Sequence, residues 1–149
     1  MRVRLPLLVL AASLSAALVP TASSAATPKQ RMKTAINAAR AANGVPPVRT
    51  YRPLMRTSSR YAKFMIANDV WAHASNPATG ASYSRVGEIL GMTTTPGPAP
   101  RAIVRAWLES PAHRPILLDR RYRCVGIGLE HGNMDGLMSW VWVVRLGRR

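Results

Sequence analysis

The chain holds a single cysteine, Cys124. No intramolecular disulfide can form, so stability must come from burial, even where an oxidising compartment would permit a bridge. Cys124 sits in an apolar, strand-like run and reads as a small buried filler rather than a nucleophile. Acidic residues are scarce too: six, against 21 lysines and arginines, for a formal net charge of +15. Past residue 26 no apolar segment is long enough to cross a bilayer. The His-Glu-x-x-His spacing of a metalloprotease is missing, as is a Gly-x-Ser-x-Gly elbow, and no cysteine–histidine pair has support. Ser82, Ser84 and Ser110 remain as hydroxyls, but an activated serine needs a base within hydrogen-bond reach, and Ser110 is better placed as a helix cap.

At the N-terminus Arg2 and Arg4 precede an apolar stretch from Leu5 to Leu18, and Ser24-Ala25-Ala26 follows as a small-residue cleavage site. These features describe a secretory signal peptide over residues 1–26. Residues 27–149 are then expected to form one domain with one core, outside the cytoplasm.

All but three of the basic residues are arginine, scattered over the chain (Arg31, Arg40, Arg49, Arg60, Arg85, Arg101, Arg120) rather than gathered into one stripe with aromatics. A nucleic-acid domain more often concentrates its charge, and export argues against DNA as the natural partner. The expected behaviour is adhesion of a cation-rich surface to anionic cell-envelope polymers or lipid head groups.

Thr27-Pro28 opens a helix with Met32, Ala35, Ile36 and Ala39 at helical spacing, stopped by Asn43-Gly44. Val45-Pro46-Pro47-Val48 must be extended, because a residue before proline leaves the α region. A second helix after Pro53 shares Leu54, Ser58, Tyr61, Ala62 and Met65 on one face and ends near Asn68-Asp69, just before Trp71-Ala72-His73. In Val86-Gly87-Glu88-Ile89-Leu90-Gly91 one carboxylate stands inside an apolar run and needs a partner. That partner is an arginine such as Arg85 if Glu88 is structural, or a ligand if it belongs to a site.

Pro100, Ile103, Val104, Trp107 and Leu108 form another helical face. Ser110 then reads as the cap and Pro111 as the first residue of a further turn, which puts His113 at a helix start. His113 is either a structural histidine packed beside Trp107 or a neutral imidazole free to bind a metal or accept a proton. From Cys124 to Leu129 large and small residues alternate, so one face of a strand is closely covered. His131-Gly132-Asn133 and Asp135-Gly136 mark a hairpin, and His131, at this turn, reads as a solvated loop residue. The last strand is apolar on both faces and must be covered on both. Core packing accounts best for Trp107, Trp140 and Trp142. The sum is an α+β domain, a three-layer α–β–α sandwich around a small antiparallel sheet.

The ordered series from Ala35 to Gly44, Ala72-His73, Gly87-Glu88-Ile89, Trp107 to Arg114 and Val125-Gly126-Ile127-Gly128 resembles the bacterial branch of the CAP superfamily (cysteine-rich secretory proteins, antigen 5 and pathogenesis-related proteins). The resemblance implies an α–β–α sandwich with a cleft carrying two histidines and one or two acids, in which some relatives hold zinc or another divalent cation. Carried over by position, His73 and His113 match the two histidines and Glu88 the acid. The family's asparagine after that acid is Ile89 here, which is expected to cost the cleft a polar group. The second acid of eukaryotic relatives falls at Ser110; Glu109 is adjacent, but one residue turns a helix by about 100°. Trp71, Ser110 and Glu109 are the expected cleft neighbours, Trp71 because it stands next to His73. The functional expectation is a secreted, non-catalytic binding module. The alternative is a metal-assisted hydrolase working through the same cleft.

Overall fold

A computed structural model describes residues 25–77, 83–94 and 96–149. Residues 1–24, the bulk of the expected signal peptide, and Ser82 lie outside these. The elements run α1 (Pro28–Ala42), β1 (Arg49–Thr50), α2 (Arg52–Asn68), β2 (Arg85–Thr93), α3 (Pro100–Glu109), α4 (Arg114–Leu117), β3 (Cys124–Met134) and β4 (Leu137–Arg148).

Local chemistry sets most boundaries. Thr27 caps α1 in a reciprocal box with Gln30 (Gln30 N–H donates to Thr27 Oγ1 at 3.3 Å, Thr27 N–H to Gln30 Oε1 at 2.7 Å), and Pro28 occupies the first turn. Gly44 leaves the helix at φ +64°. Asp69 ends α2 in the left-handed region, its N–H reaching back to Ile66 O. Asp135-Gly136, both at positive φ, make the two-residue turn that joins β3 to β4.

The sheet order is β1-β3-β4-β2, with β3–β4 and β4–β2 antiparallel and the two-residue β1 added parallel to β3. Alternation along the strands sorts two cores. Val125, Ile127, Trp142, Val144, Leu146 and Ile89 face α1, α3 and α4, where they meet Met32, Ile36, Ile103, Val104, Trp107 and Leu117. Leu90, Val141, Val143 and Met134 face α2 and its Ala62 and Met65. The molecule is an α–β–α sandwich.

The small residues of β3 explain the closeness of α2. A Cβ on Gly126 would lie 2.2 Å from the Leu54 carbonyl carbon, and one on Gly128 would lie 2.1 Å from the Ser58 carbonyl oxygen. The helix backbone therefore rests directly on the strand. Buried indole N–H groups are satisfied, Trp107 by Leu90 O and Trp142 by Pro98 O, each at 2.7 Å. Cys124 is buried, donates its thiol to Gly147 O at 3.1 Å, and has its pKa raised by that burial.

Three expectations change. His131 is not in a loop: it lies within β3 opposite Trp140 and stacks on that indole at 4.2 Å between centroids. Ser110 does not cap α4. Its Oγ meets His113 Nδ1 at 2.7 Å, and its carbonyl accepts the His113 and Arg114 N–H groups, so Pro111–His113 form a turn and His113 itself is the cap residue. Arg40 is not part of the cationic surface. It is fully buried and donates to four carbonyls, those of Pro46, Leu117, Asp119 and Tyr122, which ties the end of α1 to the segment after α4. Four neutral acceptors engage four of the guanidinium's five N–H donors without neutralising its charge.

Candidate functional site

Glu88 and Arg145 occupy partner positions on β2 and β4 and point to the α2 side of the sheet. Arg145 Nε donates to Glu88 Oε2 at 2.8 Å, with both side chains 3% exposed. The other carboxylate oxygen, Oε1, accepts from His73 Nδ1 at 3.0 Å and from the Ala74 N–H at 2.9 Å. A carboxylate only accepts, so Nδ1 carries the hydrogen, and in the neutral ring Nε2 is left with a lone pair. His73 is exposed on its outer side.

The chain brings His73 here through the end of α2. The left-handed Asp69 turns the backbone out of the helix, and Tyr61 Oη donates to Ala72 O at 2.8 Å, which anchors the segment that follows. Arg145 lies 5.2 Å from the Tyr61 ring centroid, a cation–π contact, and Tyr61 stacks on Phe64 at 5.7 Å. Burial, and next the Glu88 charge, raise the Tyr61 pKa against an opposing pull from Arg145, so the phenol keeps its proton. An open cavity of about 520 Å³ lies over this group, walled by Arg60, Tyr61, Phe64, His73 and Arg145 among others.

Of the residues singled out in the sequence, His73 and Glu88 meet. His113 is held at the α3–α4 joint by Ser110, and no hydrogen bond links it to Glu88. Glu109 is exposed at the last position of α3. Trp71 is 47% exposed, and the cavity wall passes it by. The partner of Glu88 is Arg145, not Arg85. Ile89 is fully buried in the core on the opposite face of the sheet, so an apolar residue there removes nothing from the Glu88 side.

Arg145 and Tyr61 are the residues that sequence reasoning missed as site members. Arg145 did leave a signal, being the one charge inside the apolar run from Val141 to Leu146. A lone cation there needs an anion on the neighbouring strand.

The group does not fit zinc or another divalent cation as it stands. Both Glu88 oxygens already accept hydrogen bonds, one of them from a guanidinium whose positive charge lies beside the would-be ligand atom. Among the described residues no three His, Cys, Asp or Glu side chains come together to hold a metal ion. Nor is any serine, threonine or cysteine among the described residues hydrogen-bonded to His73. What the arrangement does offer is an oriented imidazole, a rigid charged floor and an aromatic wall.

The solved structures similar to this one share its fold. An outer surface protein of Borrelia burgdorferi superposes with a TM-score of 0.65 at 19% identity, over 81% of this chain and 92% of that one. An extracellular protein containing an SCP domain from Bacillus anthracis gives 0.62 at 18% identity, over 85% of this chain and 45% of its own. A cysteine-rich secretory protein of Staphylococcus aureus gives 0.54 at 18% identity, over 76% of this chain and 36% of its own. This chain thus spans under half the length of the last two. No curated protein matches the chain by sequence. The profile of the cysteine-rich secretory protein family, however, matches residues 33–146, nearly everything the fold is built from, and the chain belongs to the CAP family.

Proposed function

We propose that the protein is a secreted or cell-wall-associated binding module, non-catalytic, whose cavity over His73, Glu88 and Arg145 and whose basic surface engage an anionic lipid or cell-envelope ligand. One observation carries this reading: Glu88 is buried and both its oxygens are tied down, by His73, Ala74 and Arg145, so it serves as a fixed floor rather than as a reagent. The Tyr61–Phe64 stack offers an apolar wall, and the exposed Arg60 offers a cation at the rim. A ligand with an apolar body and an anionic end meets both. Support for export comes from the composition of residues 1–26 and from relatives described as extracellular or outer surface proteins.

The test is retention of the protein on phosphatidylglycerol vesicles and on isolated walls, compared with Arg60→Gln and Phe64→Ala. Both substitutions should weaken retention while leaving the melting temperature in place. Unchanged retention in both would remove the cavity from the reading.

Metal-assisted hydrolysis is the second reading. It draws on one feature, the carboxylate that fixes the His73 tautomer, as orienting groups do for catalytic or metal-bound histidines. It requires turnover on peptide, ester or glycan panels with zinc supplied, abolished in His73→Ala. No turnover is the expected result, and metal analysis of the purified protein should return less than one equivalent.

A further inference from the structure

A second concavity, of about 450 Å³, lies where β3 begins and β4 ends, and it shares no wall residue with the cavity over His73. Its wall is Arg120, Arg121, Arg123, Arg148 and Arg149, with the buried Cys124 beneath. Five arginines line this one space, and the ion pairs among the described residues compensate one of them. Asp119 is the acid at hand, and Arg121 takes it, with Nη2 to Oδ2 at 2.8 Å and Nε to Oδ1 at 2.9 Å.

The others are held by neutral groups. Arg120 Nη1 donates to Gly44 O at 2.6 Å, Arg123 Nη1 to Arg120 O and Tyr122 O, and Arg149 lies 5.1 Å from the Tyr51 ring centroid. Carbonyls and a ring face orient a guanidinium without cancelling its charge. Arg148 takes part in no ion pair among the described residues. A concave wall of one sign focuses its field on whatever enters.

We propose that this pocket is an oxyanion site that takes the phosphate of a phosphate ester. Planar guanidinium forks match tetrahedral phosphate oxygens two at a time, and each such contact is a charge-assisted hydrogen bond. The pocket is a place of defined residues, separate from the diffuse basic surface. The site refines the anionic-partner element of the reading above and is independent of what the His73 cavity does.

The experiment is calorimetric titration of the full chain with inorganic phosphate and with glycerol 3-phosphate, alongside flotation with phosphatidylglycerol vesicles. It compares wild type, Arg148→Gln, Arg123→Gln/Arg148→Gln, and a charge-matched control, Arg101→Gln/Arg105→Gln, on the exposed side of α3. We expect saturable binding of both soluble phosphates by wild type and by the control. Affinity should fall about tenfold or more in the double variant, as expected for lost hydrogen bonds to a charged group. Arg148→Gln removes no side-chain hydrogen bond or ion pair seen among the described residues and should show a smaller loss in the same direction.

Flotation distinguishes the sources. If the phosphate is that of a lipid, the double variant loses vesicle binding and the control keeps it. If it is that of a soluble or polymeric ester, only the titrations change; either result supports the site. Equal losses in the double variant and the control would assign the effect to overall charge and overturn the site. So would a wild type that takes up neither phosphate nor vesicles. In both cases the reading of the His73 cavity would remain open to its own test.

Discussion

Arg145 carries its charge in a strand whose neighbours are Val143, Val144 and Leu146, all fully buried. An ion there is tolerable because Glu88 meets it in register on β2. Removing one partner strands the other in a poorly hydrated place, which typically costs about 3–5 kcal/mol, whereas replacing both by apolar residues of similar size is often neutral. We predict that Arg145→Ala lowers unfolding stability by roughly that amount and that Glu88→Leu/Arg145→Met recovers most of it. Urea unfolding of the three proteins decides the matter; a double variant as weak as the single one would mean that the pair is worth its bonds to His73 and Ala74 rather than its charge. Asp119 gives a second residue-scale prediction. Its hydrogen bond to Arg121 holds its carboxyl below the usual 3.8. A depressed folded-state pKa means a contribution fully present above the unfolded pKa and lost as pH falls through the folded value. The stability difference between wild type and Asp119→Asn should therefore be flat from about pH 7 to pH 5 and shrink below about pH 4. A difference unchanged in acid would show that the ionisation of Asp119 is not what stabilises the fold.

At the scale of elements, the β3 glycines decide how the α2 layer sits. The carbonyl groups of Leu54 and Ser58 come so near Gly126 and Gly128 that a methyl group has no room and the obstacle is backbone. Overpacking of this kind typically costs about 1–3 kcal/mol, and a helix that cannot shift locally puts Gly128→Ala at the upper end. Thermal unfolding should show the loss, while Gly97→Ala, whose Cβ would meet nothing within 4 Å, should unfold as wild type does. A Gly128→Ala protein of normal stability would mean that α2 slides freely over the sheet. The same strand shows what a sequence can and cannot disclose. Alternation of large and small residues from Cys124 to Leu129 was legible, and so were both long helices, their stops, and the need to cover β4 on each face. His73 beside Glu88 was legible by position in the family series. Strand register was not: nothing local says that residue 88 faces residue 145, so Arg85, a near neighbour in sequence, looked the better partner. His131 was misplaced for a related reason, because turn-forming residues signal a hairpin without saying how far its ladder extends. Ser110 has the chemistry of a cap, but an imidazole three residues on competes for the same hydroxyl.

The whole molecule carries a formal charge of +15, and folding withdraws Arg40 and Arg145 from the surface while leaving most other arginines outside. Exposed like charges repel, so the compact state is held against its own field. Salt then acts on two properties in opposite directions. Between about 0.1 M and 1 M the screening length falls from about 10 Å to about 3 Å, which weakens attraction to an anionic surface and repulsion among exposed arginines alike. The Glu88–Arg145 pair, 3% exposed on either side, lies beyond the reach of screening ions and should hold. We therefore expect the protein to leave phosphatidylglycerol vesicles over that range of sodium chloride while its melting temperature stays level or climbs by a few degrees. Flotation and scanning calorimetry on one preparation measure both. If the melting temperature fell together with binding, surface ion pairs rather than the two cores would be sustaining the fold, and release from the vesicles would then reflect unfolding instead of a lost electrostatic contact.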